Sequence, residues 1–385
     1  MIVKVELSDN QFNLLAILDA EIQQLTWEYD QLGGCGPFSF ILGRQYCNEQ
    51  AISGDFNVKI FGRNPSTKNY DLWYQGIVED KIPDITNQDE TVEISGHGYA
   101  AQLQRIQLVS VTFTNMEASA IITSLLNSYI VPNTDISYSA MNIQATGFTF
   151  DTITFNTDVQ SAIQTIVDTV GAIEWGVDAN RSLYFIPEST TTGLRFAVGD
   201  KMTTFNDDYS FKDIVNRVII QGGNVDDGLG DGGTIPFTPD STQAFYNDVP
   251  SQLKYGRHDV VYTNSSIITD AVAQQYAQSV LAEKKDVVHT ATAELVNYEQ
   301  RIETTVPIPL LEIVARGTLY GEKQYGTFLY SGKIQYRVVS AVYTLNDDDS
   351  SLTVDLTIGT PRPQVSEQIA QLLYKIQQLQ TAALS

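Results

Sequence analysis

Two stretches of this chain, far apart in the sequence, repeat the same alternation of polar and apolar residues. Thr91–Gly96 reads Thr-Val-Glu-Ile-Ser-Gly, and Thr353–Thr357 reads Thr-Val-Asp-Leu-Thr. Each follows an acidic turn, and each is preceded by another strand-like run, at Trp73–Val78 and Ile334–Leu345. A period of two residues is typical of a strand with one buried face, so each stretch predicts a β-hairpin. The chain is therefore predicted to contain two related hairpin modules, which suit a protein that builds a ring from few subunits; chance recurrence of a short strand pattern is the alternative.

The composition excludes several classes of protein. With 385 residues, the chain is long enough for two or three domains with proper cores. Its 46 acidic and 23 basic residues give a net charge of −23, which repels nucleic acid and anionic membranes unless a basic patch exists. The nearest candidate, Lys284-Lys285, ends a predicted helix, where the helix dipole favours positive charge anyway.

The cysteine count and the lengths of the apolar runs indicate in which compartment the protein is made. Cys35 and Cys47 are too few for a disulfide scaffold or a four-cysteine zinc site, and they either pair across a hairpin or remain buried thiols. Residues 1–6 alternate like a strand and lack the apolar core of a signal peptide. No apolar run approaches the ~20 residues that a membrane span needs. We expect a protein that is made in the cytoplasm or is exported only as part of a particle.

The first hundred residues are rich in predicted strands. Turns are predicted at Gly33-Gly34, at 62–65 and at 87–90. The predicted strands are Met1–Leu7, Gln11–Ile17, Ile22–Tyr29, Phe56–Phe61, Leu72–Glu79 and Thr91–Gly96.

Residues 105–200 predict a compact α+β unit inserted between β-rich blocks. A helix is predicted over Met116–Tyr129, and a second over Asp158–Val170, with Thr157 as N-cap and Gly171 as the residue after its end. A hairpin follows at 172–187. Such an insertion requires its two ends to lie close together.

The remainder of the chain returns to strands, with one further helix. Phe211–Gly222 predicts a strand, Gly222–Gly233 a long flexible loop, and Thr269–Lys285 a helix. Strands are predicted from Val287 to Ile358, where Pro307 confines its strand to an edge or a start.

The last twenty residues differ in kind, because they form a short heptad seam. Apolar residues recur at alternating spacings of four and three, which predicts a helix that offers a stripe to other copies of the chain. An amphipathic helix folded back on its own domain is the alternative. The predicted interface residues are Val365, Ile369, Leu372, Ile376 and Leu379.

No cluster of residues predicts catalysis, a cofactor site or a metal site. His97, His258 and His289 are isolated and lack metal-ligand spacing, and no nucleophile elbow, phosphate loop or dinucleotide-binding motif occurs. The acidic loop 226–231 lacks the ligand spacing of an EF-hand, which favours a solvated loop over a calcium site.

One pair of acids invites a carbohydrate-cleaving interpretation. Glu174 and Asp178 flank Trp175, and two carboxylates beside an aromatic ring are what glycoside cleavage uses. On a strand, however, these positions lie about 13 Å apart, beyond the usual separation of such carboxylates. The sequence therefore predicts a protein that is not an enzyme.

With these elements in order, the chain resembles the central hub protein of phage tail baseplates and tail tips. This family is shared with the N-terminal part of tail-associated lysins and with secretion-system spike hubs. The likeness spans nearly the whole chain and rests on the order of individually weak motifs. These are Tyr74–Val78, Val92–Tyr99, Leu103, Arg105, Ala162–Pro187 with Gly171 and Leu183–Pro187, Ile214–Gly223, Ala271–Lys285 and the closing strands through Gly359.

The resemblance implies an α+β, mostly β chain with two tube-like β-barrel domains, an inserted α+β domain and a C-terminal helix. The implied boundaries are 1–104 for the first tube-like domain and 105–200 for the inserted domain. The second tube-like domain spans 201–360, with a helical insertion at about 225–286, and the amphipathic helix spans 361–385.

The resemblance also implies a structural virion protein of the viral tail, made in the host cytoplasm. Three chains would present a pseudo-sixfold ring to the hexameric tail tube, close the tail end, and open for DNA ejection during host attachment. The implied partners are two further copies, the tail tube or distal tail protein, the tape measure protein, and a spike, fibre or receptor-binding protein, with DNA only as passing cargo. No peptidase or glycosidase domain follows residue 360 here, so the lytic role of longer relatives is not implied.

Two alternatives stay open at this point. The first is a carbohydrate-binding or cell-wall-degrading tail protein that uses the Trp175 region. The second is the hub of a contractile secretion-type particle, which faces the same symmetry problem as a phage tail.

Overall fold

A computed structural model of the chain describes the residues from 3 to 359, apart from several gaps. The predicted helix 361–385, with Val365, Ile369, Leu372, Ile376 and Leu379, lies outside the described residues, as does Cys47. The gaps are 19–21, 44–51, 53–54, 65, 86–89, 148, 171–172, 227, 229–232, 264–269, 271–272, 275–276, 278–279, 282–283, 286–287, 299, 304, 315–333 and 347–351.

The chain divides into two compact units. The first combines Met1–Asn206 with Ala291–Gly359, and the second contains Asp207–Thr290. The boundaries 1–104, 105–200, 201–360 and 361–385 stay predictions.

The N-terminal part of the first unit is built from seven strands, six of which the alternating pattern predicts; the strand Leu32–Gly43 was not predicted. A 3₁₀ helix at Tyr99–Arg105 follows them. The strands are β1 (Val3–Ser8), β2 (Leu14–Leu18), β3 (Ile22–Asp30), β4 (Leu32–Gly43), β5 (Asn57–Arg63), β6 (Tyr70–Ile85) and β7 (Glu90–Gly98).

The predicted turn at Gly33-Gly34 lies at the reversal from β3 to β4, because Asp30 pairs with Gly34, and both glycines also belong to β4. Both glycines have positive φ, 132° and 84°, which no other residue adopts without strain. A Cβ on Gly34 would lie 2.3 Å from the carbonyl oxygen of Val177, so the glycine allows another strand to approach closely. The glycines thus serve both the reversal between β3 and β4 and this close approach.

The inserted stretch contains the two helices that the sequence predicts. α1 (Ala118–Leu125) continues into a π-helical turn at Leu126–Ile130, and α2 is Val159–Val170. Asp158, rather than Thr157, accepts the hydrogen bond from the Ser161 N–H at the start of α2. The strands of the inserted stretch are β8 (Val111–Glu117), β9 (Ser137–Ile143), β10 (Thr149–Phe155), β11 (Ile173–Val177) and β12 (Ser182–Pro187).

The C-terminal half of the chain supplies the remaining strands, and the second unit adds a seven-residue helix, α3 (Val249–Tyr255). In the predicted helix Thr269–Lys285 the described residues are helical up to Lys284, and Ala273, Ala277 and Val280 pack in the second unit's core. The strands are β13 (Thr192–Ala197), β14 (Met202–Ser210), β15 (Arg217–Gln221), β16 (Asn224–Asp226), β17 (Thr234–Pro236), β18 (Asp259–Thr263), β19 (Val288–Val296), β20 (Leu310–Val314), β21 (Ile334–Tyr336), β22 (Val338–Asn346) and β23 (Leu352–Gly359).

The main sheet joins strands from both ends of the chain. Its order is β14-β19-β23-β22-β3-β4-β7-β6-β5-β1-β2, with β11, β12 and β9 branching from β4. The prediction of an α+β, mostly β chain is confirmed. Among the described strands the two ends of this sheet do not pair with each other, so barrel closure stays a prediction.

The two predicted hairpins are present, and they match in detail. β6 pairs with β7 and β22 with β23, both antiparallel. Each hairpin has a bulge at the same place, between Val78 and Asp80 in the first and between Val338 and Ser340 in the second. The residue after the bulge faces Ser95 in the first hairpin and Thr357 in the second. Because a bulge pins the register, the two halves share one strand geometry.

The match extends to whole modules. The sheet order contains β14-β19-β23-β22 directly followed by β3-β4-β7-β6, with the hairpins in the same orientation in both sets of four. We call these sets the C-terminal and N-terminal modules. They meet where β22 pairs with β3. A duplicated four-strand module is therefore repeated side by side within one chain.

Aromatic side chains fill the core at this meeting point. The rings of Trp27 and Tyr343 stack in parallel with centroids 5.0 Å apart, and Trp73 lies 6.3 Å from both. The Tyr343 hydroxyl donates to the buried Glu303 carboxylate at 2.6 Å and accepts from the Ile302 N–H. The joint between the modules thus has a continuous apolar and hydrogen-bonded interior.

Candidate functional surface

The side of the two modules that faces away from the core is polar and acidic. Along β3, Leu25, Trp27 and Tyr29 are buried, whereas the residues between them are partly exposed. Strand pairing carries this alternation across the sheet. We call the outward set the acidic face: Thr26, Glu28, Asp30, Ser39, Asp80, Ile82, Asp84, Thr91, Glu93, Ser95, His97, Thr203, Glu294, Ser340, Val342, Thr344, Thr353, Asp355 and Thr357.

The acidic face contains seven carboxylates and no lysine or arginine. Its one basic side chain is His97, whose Nδ1 lies 2.6 Å from the Glu79 carboxylate at the edge of the face. The crowding shows in the titration of Asp30, because burial and the adjacent Glu28 raise its pKa to about 7. Burial and the nearby Glu294 also raise the pKa of Asp355. Asp30 is therefore only partly ionised at neutral pH, and the face carries fewer than seven full negative charges.

A groove of about 300 Å³ crosses this face. Glu28 and Asp80 line it together with hydroxyl groups from Thr26, Ser39 and Ser95. The lining therefore offers mostly hydrogen-bond acceptors and negative charge, and its one basic side chain, His97, is paired with Glu79.

The strands of the two modules are staggered by a fixed amount. Starting at Asp80, direct cross-strand partners lead through Ser95, Ser39 and Thr26 to Thr344. Ser340 is the counterpart of Asp80 after the bulge, so crossing four strands shifts the register by four residues. A shift of one residue per strand is the ratio found in eight-stranded barrels of shear eight, whose strands tilt by about 36°.

The carboxylates beside Trp175 do not form a site. Trp175 is 1% exposed and its Nε1 donates to Gln164, so its ring cannot stack on a sugar. Glu174 is also buried, and Asp178 accepts backbone N–H groups in the β11–β12 turn. The interpretation of this region as carbohydrate-binding is therefore wrong.

Glu174 has a structural role instead. Its carboxylate accepts hydrogen bonds from the Tyr29 hydroxyl at 3.3 Å and the Ile308 N–H at 3.1 Å, and Tyr29 also contacts the Tyr184 hydroxyl at 2.8 Å. Burial raises the pKa of Glu174 to about 7. The group fastens β3, β11 and β12 to the segment before β20.

The remaining candidates from the sequence are dispersed. The His258 ring contacts the Tyr255 carbonyl, and Cys35 is a buried free thiol. Of the acidic loop 226–231 only Asp226 and Gly228 are described. Within the described ranges no group of three or more His, Cys, Asp or Glu residues could hold a metal ion, and no helix is long and apolar enough to span a membrane.

Sequence comparison finds no relatives, whereas structural comparison does. No protein-family model and no curated protein matches the chain. The structure is similar to the 43 kDa tail protein of prophage MuSo2 from Shewanella oneidensis, with 13% identity and a TM-score of 0.60 over 92% of this chain and 98% of that one. The chain has the fold of a phage tail protein. The predicted resemblance to tail hub proteins is confirmed at the level of the fold.

Two further structures extend the comparison. Prophage tail protein gp18 from Listeria monocytogenes is 13% identical, with a TM-score of 0.54 over 98% of this chain and 100% of that one. A chain of the Francisella PdpA–VgrG complex is 10% identical, with a TM-score of 0.52 over 93% of this chain and 52% of that one. The fold thus occurs both alone and as part of a longer chain.

Proposed function

We propose that this chain is a structural protein of a phage tail tip, and that three copies close into a ring that joins a sixfold tail tube to a threefold tip. The observation that carries the proposal is the duplicated four-strand module, because three chains with two modules each present six similar surfaces. The fold shared with phage tail proteins supports the location in the tail.

The measured stagger supports closure of such a ring. Six modules would make a barrel of about 24 strands, and a shift of one residue per strand would give the strands a tilt of about 36°. With strands about 4.8 Å apart, the backbone would lie about 23 Å from the axis, which leaves an open channel. The acidic face would line that channel, since the opposite face is the core.

The joint inside the chain suggests the joint between chains. β22 of the C-terminal module pairs with β3 of the N-terminal module, so repetition would pair β6 of one copy with β14 of the next. The β6 residues Asp80–Ile85 pair with β7, whereas β5 pairs with the earlier part of β6, Tyr70–Ile77. β14, the strand that would meet β6 of the next copy, is the end strand of the main sheet.

We expect a three-chain mass by light scattering of the purified protein. In an Ile82→Cys, Thr203→Cys double variant, a short bismaleimide should link one copy to the next, because these residues lie on the same face of the strands that would meet. Ile82→Cys with Met141→Cys is the control, since Met141 is exposed in the inserted stretch. A strict monomer at high concentration without cross-links would contradict the ring.

Repeating the mass measurement without residues 361–385 tests whether the predicted interface residues Val365–Leu379 are needed for the three chains to associate.

The acidic face supports a role as a path for DNA, which a negative wall does not retain. Replacing Asp84, Glu93 and Asp355 by lysine should make the protein bind duplex DNA at low salt in a mobility-shift assay, whereas the original protein should not bind. Lysine at Asp71, Asp135 and Asp200, exposed positions off this face, should add the same charge with much weaker binding. Equal binding by both triple variants would contradict a channel role for the face.

The remaining parts of the proposed role follow from the position at a tail tip. The ring would contact the tail tube or distal tail protein on one side and a spike, fibre or receptor-binding protein on the other, with the tape measure protein ending at its channel. It would close the tail until host attachment and then open for DNA ejection. Immunogold labelling of virions checks the location, because a distal tail end without this protein would contradict it.

A hub of a contractile secretion-type particle is the second candidate. The likeness to a chain of the PdpA–VgrG complex favours it, although this chain spans about half of that one. Isolation of the native particle separates the two, since only a virion carries a DNA-filled capsid.

A further inference from the structure

The strand β2 ends the main sheet with an unprotected apolar edge. It pairs with β1 on one side, and among the described strands it has no partner on the other. Leu14, Leu15 and Ile17 are each at least half exposed, at 54%, 50% and 51%. Unpaired backbone groups beside apolar side chains are a template for another strand.

Natural edge strands usually carry features that prevent unwanted pairing, and β2 lacks them. The free edge of β6 has Pro83, Asp80 and Asp84, which limit pairing to a specific partner. β2 reads Leu-Leu-Ala-Ile-Leu, without a charge or a proline. An edge left open in this way indicates a surface that is covered in the working protein.

β2 also breaks the match between the two halves of the chain. β5 and β20 are counterparts, since Val58 faces Gly76 as Leu311 faces Tyr336 next to the repeated hairpins. β1 lies antiparallel to β5 whereas β13 lies parallel to β20, and among the described strands only β1 has a further neighbour, β2. In the proposed ring, β2 would therefore occur three times rather than six.

The size and charge of the edge point to its occupant. Five residues span about 17 Å, far too little for the ~800 Å² per partner of a stable globular interface, so a second copy could not be held by β2 alone. An extended segment gains its affinity from backbone hydrogen bonds along such an edge. Asp9 precedes β2, and hydrogen bonds from Asn13 lower its pKa. This negative charge favours a basic residue at the facing end of the segment.

We propose that β2 binds an extended segment of another protein as an added strand, with apolar side chains against Leu15 and Ile17 and a Lys or Arg residue at the end of the segment that faces Asp9. The threefold multiplicity of this edge rests on the proposed ring, whereas the binding itself does not. A threefold spike or fibre that supplies one strand per chain would match the three copies of β2.

The test uses the full chain and a fluorescent acetylated peptide with the sequence Lys-Lys-Val-Thr-Val-Thr-Val-Lys. Fluorescence anisotropy should show saturable binding at one peptide per chain. A Leu15→Asp, Ile17→Asp double variant should bind at least tenfold more weakly, while Val109→Asp, at another exposed apolar position, should bind like the original protein. The same peptide with alternate N-methylated amides should not bind, because it cannot complete the backbone hydrogen bonds.

Three results would overturn the proposal: no binding by the original protein, equal binding by the double variant, or equal binding of the N-methylated peptide. A fall in the light-scattering mass of the double variant would also overturn it, because it would make a second copy the occupant of β2. Peptide binding by a protein that stays monomeric would support the edge and contradict the ring. The failure of one proposal is thus distinguishable from failure of the other.

Discussion

Replacing Trp27 by alanine is expected to lower the free energy of unfolding of the first unit by about 4 kcal/mol, in the range of aromatic-to-alanine changes in cores. Trp27 is 2% exposed, stacks on Tyr343 and lies against Trp73 where the two modules meet. The change leaves a large cavity on both sides of that joint. Denaturant titration followed by the fluorescence of Trp73 and Trp175, both in the first unit, measures the loss.

Trp27→Phe is the matched control for this prediction. The buried Trp27 Nε1 finds no acceptor among the described residues, so phenylalanine removes an unsatisfied donor and keeps a ring against Tyr343. We expect it to cost less than about half of the alanine change. Similar losses for both variants would mean that the indole itself, rather than packing at the joint, stabilises the contact between modules.

Replacing Glu174 by glutamine is expected to stabilise the protein at pH 8 and to change little at pH 5. Burial raises the pKa of Glu174 from 4.5 to about 7. Stability from the protonated acid is fully present below pH 4.5 and is lost as pH rises through 7. At about 1.36 kcal/mol per pKa unit, ionisation costs about 3 kcal/mol, which an uncharged glutamine avoids.

Denaturant titrations at pH 5, 6, 7 and 8 check this expectation. The unfolding free energy of the original protein should fall between pH 5 and pH 8 relative to that of Glu174→Gln. Glu93→Gln, at an exposed carboxylate, should run parallel to the original protein. A Glu174→Gln variant that loses stability equally at all four pH values would mean that the carboxylate is needed in its charged form by Tyr29 and Ile308.

A second buried carboxyl, that of Glu303, also lowers the stability of the protein as the pH rises. Burial raises the pKa of Glu303, which accepts the Tyr343 hydroxyl. The Glu174→Gln variant should therefore keep part of the original slope. The contact with β11 is expected to gain stability as the pH falls below 7, and the joint between the modules is expected to gain stability in the same direction.

Much of the fold could be predicted because alternation and helical periodicity are local signals. The hairpins at Thr91–Gly96 and Thr353–Thr357, both helices of the inserted stretch and the start of β20 after Pro309 all carry such signals. β4 was missed because Gly33 and Gly34 are turn residues in most sequences. Their purpose depends on β11, which is about 140 residues away and cannot be inferred from local pattern.

The sequence could predict that single strands have a polar face, but it could not predict which strands combine to form the acidic face. Thr26, Glu28 and Asp30 alternate with apolar residues, so a polar face on that strand was predictable. Which strands lie beside it depends on pairing between Thr26 and Thr344, residues from opposite ends of the chain. Shifting one strand by a single residue would exchange the core and the outward set, so only the three-dimensional register identifies the seven carboxylates as one surface.

The second unit is inserted in the chain between two strands of the main sheet. In the N-terminal module β3 and β4 are joined through one residue, Gln31, whereas their counterparts β14 and β19 are separated by most of Asp207–Thr290. β14 pairs with β19 and β19 with β23, just as β3 pairs with β4 and β4 with β7. Lineages could therefore exchange or enlarge the segment between β14 and β19 without altering how strands align, so variation in length among relatives should concentrate there.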